Sequence, residues 1–285
     1  MTSSPTSTAV PSAVPTGSDR LTAITLRNAT KAFATREGGS YTAIRDVDLT
    51  VRQGEFVTVV GPTGCGKSTT LSLISGLQPP TAGDVAVNGY PVSGIPEGLG
   101  YMFQTDAVLP WRTVLDNVAS GPRYRGSSKA EARDKARGWV ERVGLAGFED
   151  YHPHQLSGGM RKRVALAQTL INEPSILLMD EPFGALDVQT REYMQDLLLD
   201  LWSGSGAAVV FVTHDLTEAI ALADEVVVMT AGPATVKATV PVTLDRPRRV
   251  EEIRLTPQFT ELYRSIWESL RVEVELTRAR GARAA

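Results

Sequence analysis

Residues 55–77 leave this chain few ways to fold. Glu55-Phe56-Val57-Thr58-Val59-Val60 is a nearly continuous apolar run, and it leads straight into Gly61-Pro62-Thr63-Gly64-Cys65-Gly66-Lys67-Ser68 and then a helical pattern from Thr69 to Leu77. Strand, glycine loop and helix in that order make a cradle for phosphate. The glycines let the backbone bend close to an anion, while successive N–H groups at the helix start point into the loop. Lys67 can then reach the β- and γ-phosphates of a nucleotide, and the Ser68 hydroxyl can ligate Mg²⁺. A chance glycine-rich turn is the bland alternative, and the flanking strand and helix argue against it. Cys65 sits in the loop, where a helix start should favour its thiolate, without a catalytic task.

Other segments repeat the theme of buried strands alternating with helices. Ile176-Leu177-Leu178-Met179 ends at Asp180, Ala207 to Val212 ends at Thr213-His214, and Val226 to Met229 is a third apolar run. Such strands imply a parallel sheet covered on both faces, with ligand groups at the strands' carboxyl ends. Upstream, Ile24, Leu26, Val47, Leu49 and Val51 alternate with polar residues, as half-buried antiparallel strands do. From Thr113 to Gly147 the pattern is helical, which predicts a separate helical lobe. Beyond Gly232-Pro233 short strand-like pieces precede a helix in which Phe259, Leu262, Tyr263, Ile266 and Leu270 share one face. The Arg-rich end from Thr277 is expected to fray, and Met1 to Ser18, almost all Ser, Thr, Pro, Ala and Val, to be a disordered tail.

Composition narrows the partners. A chain of 285 residues with a net charge of -3 exerts no global pull on nucleic acid. One cysteine excludes an internal disulfide framework, and no apolar run approaches the roughly 18 residues that span a bilayer. Any membrane role must be by docking.

Several polar residues gain meaning from the loop. Asp180 ends a strand where it would emerge beside the glycine loop and can hold Mg²⁺, and Glu181 can take a proton from an attacking water. Pro182 following a polar strand end is the structural alternative. His214 could contact a γ-phosphate, although a lone histidine is as readily structural. Gln104 follows the strand-like Tyr101-Met102-Phe103, and its amide could reach Mg²⁺ or the attacking water. Thr105 to Trp111 contains the exposed-type Leu109-Pro110-Trp111, which reads as a partner groove or as local packing. His152-Pro153-His154 resembles a ligand pair, but no acidic or cysteine cluster completes it, so it reads as loop. Leu156-Ser157-Gly158-Gly159-Met160 is a second candidate anion site: Ser157 is a good helix cap, and Arg161 to Gln168 continue as helix. No second lysine loop accompanies it.

Together, Gly61 to Ser68, Gln104, Leu156 to Gly159, Leu178 to Glu181, Ala185-Leu186-Asp187 and His214 resemble the ATP-binding subunit of ABC transporters, over roughly Leu21 to Val240. The resemblance implies an α/β fold of the P-loop NTPase class: a RecA-like, mostly parallel sheet core, an antiparallel β subdomain and an inserted helical lobe at about 106–165. It implies a tail at 1–20, an ATP-binding domain at 21–240 and a C-terminal extension at 241–285. ATP and Mg²⁺ are the expected ligands. Nucleotide binding falls to Phe33, with Tyr41 the fallback for stacking on adenine, and to Gly61, Pro62, Thr63, Gly64, Cys65, Gly66, Lys67, Ser68 and Thr69. Ser157, Gly158, Gly159 and Asp187 would complete the site of a second copy in a head-to-tail dimer. Glu181, His214, Gln104 and Lys67 are the implied catalytic residues, and Ser68, Gln104 and Asp180 the implied metal ligands.

Leu109 to Val114, Phe183 to Asp187 and Leu244 to Arg248 look like the nitrate, sulfonate and taurine importer group. Lys162 and Gln168 depart from that family's common Gln and Arg. The implied partners are a second ATP-binding subunit, transmembrane permease subunits and, through them, an extracytoplasmic solute-binding protein. Nucleic acid is not among them, and the implied location is peripheral, on the cytoplasmic face of the inner membrane. A soluble ABC ATPase acting on nucleic acid or the ribosome is the alternative, and a P-loop small-molecule kinase a third class that has no use for Leu156 to Met160.

Overall fold

A computed structural model of the chain describes residues 21–35 and 38–284. The tail expected over residues 1–20 lies outside them. Strands β1 (Thr22–Ala34) and β2 (Ser40–Arg52) pair antiparallel, Leu26 opposite Leu49 and Phe33 opposite Tyr41. The alternating residues Ile24, Leu26, Val47, Leu49 and Val51 are buried. The register slips twice between Leu26 and Lys31, and Asn28 and Asp46 there take a φ of 46°. Asn and Asp tolerate that left-handed conformation best among residues with a Cβ.

Strand β3 (Phe56–Val60) is buried at every position and leads through the glycine loop to helix α1 (Lys67–Ile74). The sequence pattern ran this helix on to Leu77. It stops earlier because Gly76 turns the chain with a φ of 72°, leaving Leu77 half exposed. Strands β4 (Ala82–Val87) and β5 (Tyr90–Pro91) complete an antiparallel sheet in the order β2-β1-β4-β5.

After β6 (Leu99–Met102) the chain builds the helical lobe from α2 (Val114–Val118), α3 (Ser120–Tyr124) and α4 (Lys129–Arg142). Ser128 and Glu131 form a reciprocal capping box at the start of α4, which satisfies two of its orphan N–H groups. Asn117 is wholly buried at the lobe's entrance. Its amide donates to the carbonyls of Leu109, Arg112 and Thr113 at 3.1, 3.1 and 2.9 Å and accepts from the Leu109 N–H at 2.7 Å. These bonds pin the loop that carries Trp111, whose own side chain is 71% exposed.

Helix α5 (Gly158–Leu170) returns the chain to the sheet. Then follow β7 (Ile176–Asp180), α6 (Val188–Trp202), β8 (Ala208–Val212), α7 (Leu216–Leu222), β9 (Glu225–Met229) and β10 (Val236–Pro241). The larger sheet has the order β10-β9-β3-β8-β7-β6, parallel except for β10.

The pleat sorts its side chains into two cores. Phe56, Val60, Leu177, Met179, Val209, Phe211, Val226 and Val228 face the α5 to α7 side and the helical lobe. Val57, Val59, Ile176, Leu178, Val210, Val212 and Val227 face α1 and the antiparallel sheet. Both faces are dry, which is why these strands read as unbroken apolar runs.

The chain closes with α8 (Val250–Ile253) and α9 (Pro257–Ala284). Phe259, Ile266 and Leu270 of α9 join the first core. Tyr263, expected on the same face, is 40% exposed at its margin. The helix runs through Thr277 to Ala284 where fraying was expected. Glu273, buried in α9, accepts the Ala231 N–H at 2.9 Å and pairs with Lys237 at 2.6 Å, so the middle of the helix is tied to the β9–β10 hairpin.

Phe211 packs against both Phe56 and Phe183 at 5.9 Å between ring centroids. Phe211→Ala should therefore cost about 3–5 kcal/mol in urea unfolding, as a buried aromatic truncation does. The exposed Trp111→Ala should shift stability by about 0.5 kcal/mol or less. Equal losses for the two would contradict this assignment of the core.

Candidate functional site

The parallel pairing puts the carboxyl ends of β3, β7 and β8 on one edge of the sheet, and the polar residues of the sequence motifs gather there. Lys67, the first residue of α1, is 5% exposed and folds back over the loop, donating to the carbonyls of Gly61 at 3.0 Å and Pro62 at 3.1 Å. Gly66 takes a φ of 126°, and a Cβ there would stand 2.5 Å from the Ile44 side chain. The loop is thereby pressed against β2, and only glycine fits.

The Ser68 hydroxyl donates to Asp180 Oδ1 at 3.0 Å across the gap between α1 and β7. Burial raises the Asp180 carboxyl above its ordinary range; the Ser68 hydrogen bond opposes that, the Glu181 charge adds to it, and Lys67 opposes it. A hydroxyl and a carboxylate in contact beside a phosphate loop are hard oxygen donors of the kind Mg²⁺ takes. Among the described residues no cluster of three or more His, Cys, Asp or Glu side chains that could hold a metal ion is present.

Glu181 follows immediately, at a φ of 42°. That conformation is costly for a residue with a Cβ. Its N–H donates to the Val212 carbonyl at 2.9 Å, extending the β7–β8 ladder, and its Oε2 lies 3.1 Å from His214 Nδ1. The two residues, 33 apart in sequence, form one acid–base pair at the edge. Thr213 behind them is buried and its hydroxyl accepts the Asp215 N–H at 3.0 Å.

Gln104 lies beyond the end of β6. Met102 pairs with Met179, so Gln104 falls two residues past Met102 on the same edge, with an exposed side chain. Its carbonyl accepts from Lys162 Nζ at 3.0 Å. Phe33 and Tyr41, the two candidates for stacking on a base, are a cross-strand pair, 37% and 48% exposed. Lys31 Nζ stands 5.2 Å from the Phe33 ring centre.

The second candidate anion site is built on other elements, the starts of α5 and α6. Ser157 caps α5 by accepting the Met160 N–H at 3.2 Å, and Ser157 and Gly158 are exposed. Hydrogen bonds involving the Ser157 side chain among the described residues are local. Gly159 is packed so closely on α6 that a Cβ would meet Thr190 Cγ2 at 2.5 Å. Asp187 caps α6 by accepting the Thr190 N–H at 3.0 Å, and that interaction holds its carboxyl below its ordinary range. The two caps, Ser157 and Asp187, thus belong to neighbouring helix starts.

Two groups of residues escaped the sequence reading. Arg191 donates to the Leu186 carbonyl at 2.9 Å and to Asp215 at 3.2 Å, joining the segment before α6 to the one after β8. Its position one helical turn beyond Asp187 is a signal for facing that segment, but its partner Asp215, the cap of α7, is not visible in sequence. Buried Gln195 donates to Glu218 Oε1 at 2.9 Å behind His214, and burial pushes the Glu218 carboxyl up. Cys65 overturns an expectation: it is 2% exposed, and burial raises its thiol rather than leaving it poised as thiolate. Desolvation outweighs the helix start and the nearby Lys67 charge.

Residues 44–184 match the ABC transporter family. The chain is 45% identical over 249 residues to the taurine import ATP-binding protein TauB of Burkholderia pseudomallei, covering 85% of this chain and 95% of that protein. It is also 45% identical over 249 residues to an uncharacterized ABC transporter ATP-binding protein of Methanocaldococcus jannaschii, covering 87% and 91%. A dimeric ATP-binding cassette in a post-hydrolysis state, bound to ADP and Pi, aligns with a TM-score of 0.68 and 33% identity over 78% of this chain and all of that one.

The raised Asp180 carboxyl has a consequence for stability. Unfolded, the group ionises near 3.8; folded, it does so at higher pH. Its contribution is intact below 3.8 and is lost as pH rises through the folded value. Asp180→Asn should therefore raise the melting temperature of the nucleotide-free protein at pH 7, with the gain shrinking as pH is lowered towards 3.8. A gain that grows on acidification would reverse the sign of this assignment.

Proposed function

The chain belongs to the ABC transporter family of ATP-binding subunits, and on that premise we propose that it powers uptake of a small anionic solute such as nitrate, a sulfonate or taurine. It is an ATPase whose nucleotide is sandwiched between two copies arranged head to tail. The observation that carries the reading is the sheet edge where Ser68 meets Asp180 and Glu181 meets His214, beside a lysine loop. The name of the TauB relative supports the importer class and the solute. The alternative of a nucleic-acid or ribosome factor gains no support from these relatives.

The proposed ATP-binding domain spans residues 21–240, with the helical lobe at about 106–165 and the extension at 241–285. Phe33 stacks on adenine, and the loop from Gly61 to Thr69 holds the phosphates with its backbone N–H groups, Pro62 having none to give. Lys67 exchanges the Gly61 and Pro62 carbonyls for β- and γ-phosphate oxygens, a move its long side chain allows. Ser68, Asp180 and Gln104 would hold Mg²⁺, which when bound with ATP neutralises phosphate charge. Glu181 accepts a proton from the water that attacks the γ-phosphorus, as the bond to the ADP oxygen breaks. Nδ1 of His214 is engaged with Glu181, which leaves Nε2 to face the γ-phosphate.

The other copy supplies Ser157, Gly158, Gly159 and Asp187. An exposed serine-capped helix start without its own lysine loop is half of a site. Closing two copies on ATP joins each half to the other's glycine loop.

Permease subunits dock in the groove between β6, α3 and α5, a volume of ≈ 270 Å³ lined by Tyr101, Phe103, Asp106, Tyr124, Gln168 and Asn172. No helix among the described residues is long and apolar enough to cross a membrane, so the proposed attachment is peripheral, through those subunits on the cytoplasmic face of the inner membrane. An extracytoplasmic solute-binding protein delivers the solute to the permease.

Glu181→Gln should keep ATP binding but lower turnover on the order of 10²-fold or more, because the proton acceptor is gone. The same variant should form an ATP-dependent dimer on a sizing column, and adding Ser157→Arg should abolish it. Near wild-type turnover would remove Glu181 from its role. A double variant that still dimerises with ATP would refute the composite site.

A further inference from the structure

Lys162 has no task in the proposed chemistry, yet it is the most deeply placed cation of α5, its side chain 5% exposed. Its ammonium lies 2.7 Å from Asp106 Oδ1 and donates to the Gln104 carbonyl at 3.0 Å. Both partners belong to the short connection after β6 that carries the groove wall on one side and Gln104 on the other. On that wall Tyr101 and Phe103 stack at 4.2 Å, and Asp106 itself lines the groove. Arg161 reaches the same carboxylate at 3.9 Å. At the other end of the lever, Ser157 caps the helix that holds Lys162. Five residues of helix make about 7.5 Å of rigid rod between them.

We propose that Lys162 and Asp106 form a positioning clamp that makes the Gln104 segment and the Ser157 helix start move as one body, so that an occupant of the groove acts on both through Asp106. A buried ammonium separated from its carboxylate is strongly disfavoured. The connection therefore follows any displacement of α5 rather than sliding over it. Contact with Asp106 displaces Gln104 and Ser157 together, and Ser157 belongs to the site of the other copy. One contact thereby reaches both nucleotide sites. The coupling rests on the reading of the groove as the permease dock; the clamp does not.

The test separates those two parts. In the full chain, Lys162→Met should speed chymotrypsin cleavage after the exposed Phe103 by about tenfold or more, with the urea midpoint changed little. Lys162→Gln, which can still donate to the Gln104 carbonyl, should fall between, and Lys162→Arg should restore most of the protection. A cleavage rate after Phe103 that is the same in Lys162→Met and wild type would overturn the clamp.

In the assembled transporter, Lys162→Met should lower the kcat of permease-stimulated hydrolysis by about tenfold with KM for ATP within about twofold, while the isolated subunit keeps its nucleotide affinity. Lys162→Arg, which keeps a cation beside Asp106, should restore most of the stimulation. A Lys162→Arg variant as impaired as Lys162→Met, or an equal loss of unstimulated activity, would show that Lys162 only supports the fold. Absence of any permease stimulation in the wild type would count against the importer reading, and the cleavage measurement would still decide the clamp.

Discussion

The parallel pairing of β3 with β8, and of β8 with β7, is the constraint on which the catalytic edge depends. Val59 lies opposite Val212, and Val212 opposite Asp180, so three strands end level. Two backbone bonds carry the ladder one residue further: Thr213 N–H to the Val59 carbonyl and Glu181 N–H to that of Val212. The glycine loop, the two carboxylates and the histidine are thus delivered by main-chain register, before any side chain has chosen a partner. A slip of one residue would exchange the two cores, sending Phe211 and Met179 to the α1 side. Burial on both faces holds the edge in place.

That edge is assembled against the preferences of its parts. Asp180 is kept where burial opposes its charge, Glu181 sits at positive φ, and Lys67 is nearly enclosed. Each is a local cost of the kind found where a structure pre-organises charge for a ligand. The surrounding strands supply the compensation, since β3 and β8 are buried at every position. A soft frame could not hold Ser68 against Asp180.

What was legible in the sequence follows from how local each signal is. The glycine loop, the Ser157 helix cap and the apolar strands are contiguous patterns, and chain order alone supplies their neighbours. The Glu181–His214 contact and the ties of Lys162 and Arg191 cross 33, 58 and 24 residues. No periodicity reports such contacts. The expectation for Cys65 failed for a different reason: a helix start was legible, but the enclosure that outweighs it comes from the packing of the second core around it. The end of α1 went astray because the turn at Gly76 is decided by tertiary packing.

Asn117 gives the exposed surface a property that no single contact would. Its amide spends four hydrogen bonds on the loop from Leu109 to Thr113, so Trp111 stands in solvent on a main chain that is already fixed. Binding commonly loses about 0.5–1.5 kcal/mol of conformational freedom for each side chain it immobilises, and more when a loop must order as well. Here the folding of the helical lobe has removed the loop's share in advance. Whatever meets Trp111 meets a surface shaped beforehand, and recognition there is a matter of fit more than of induced order.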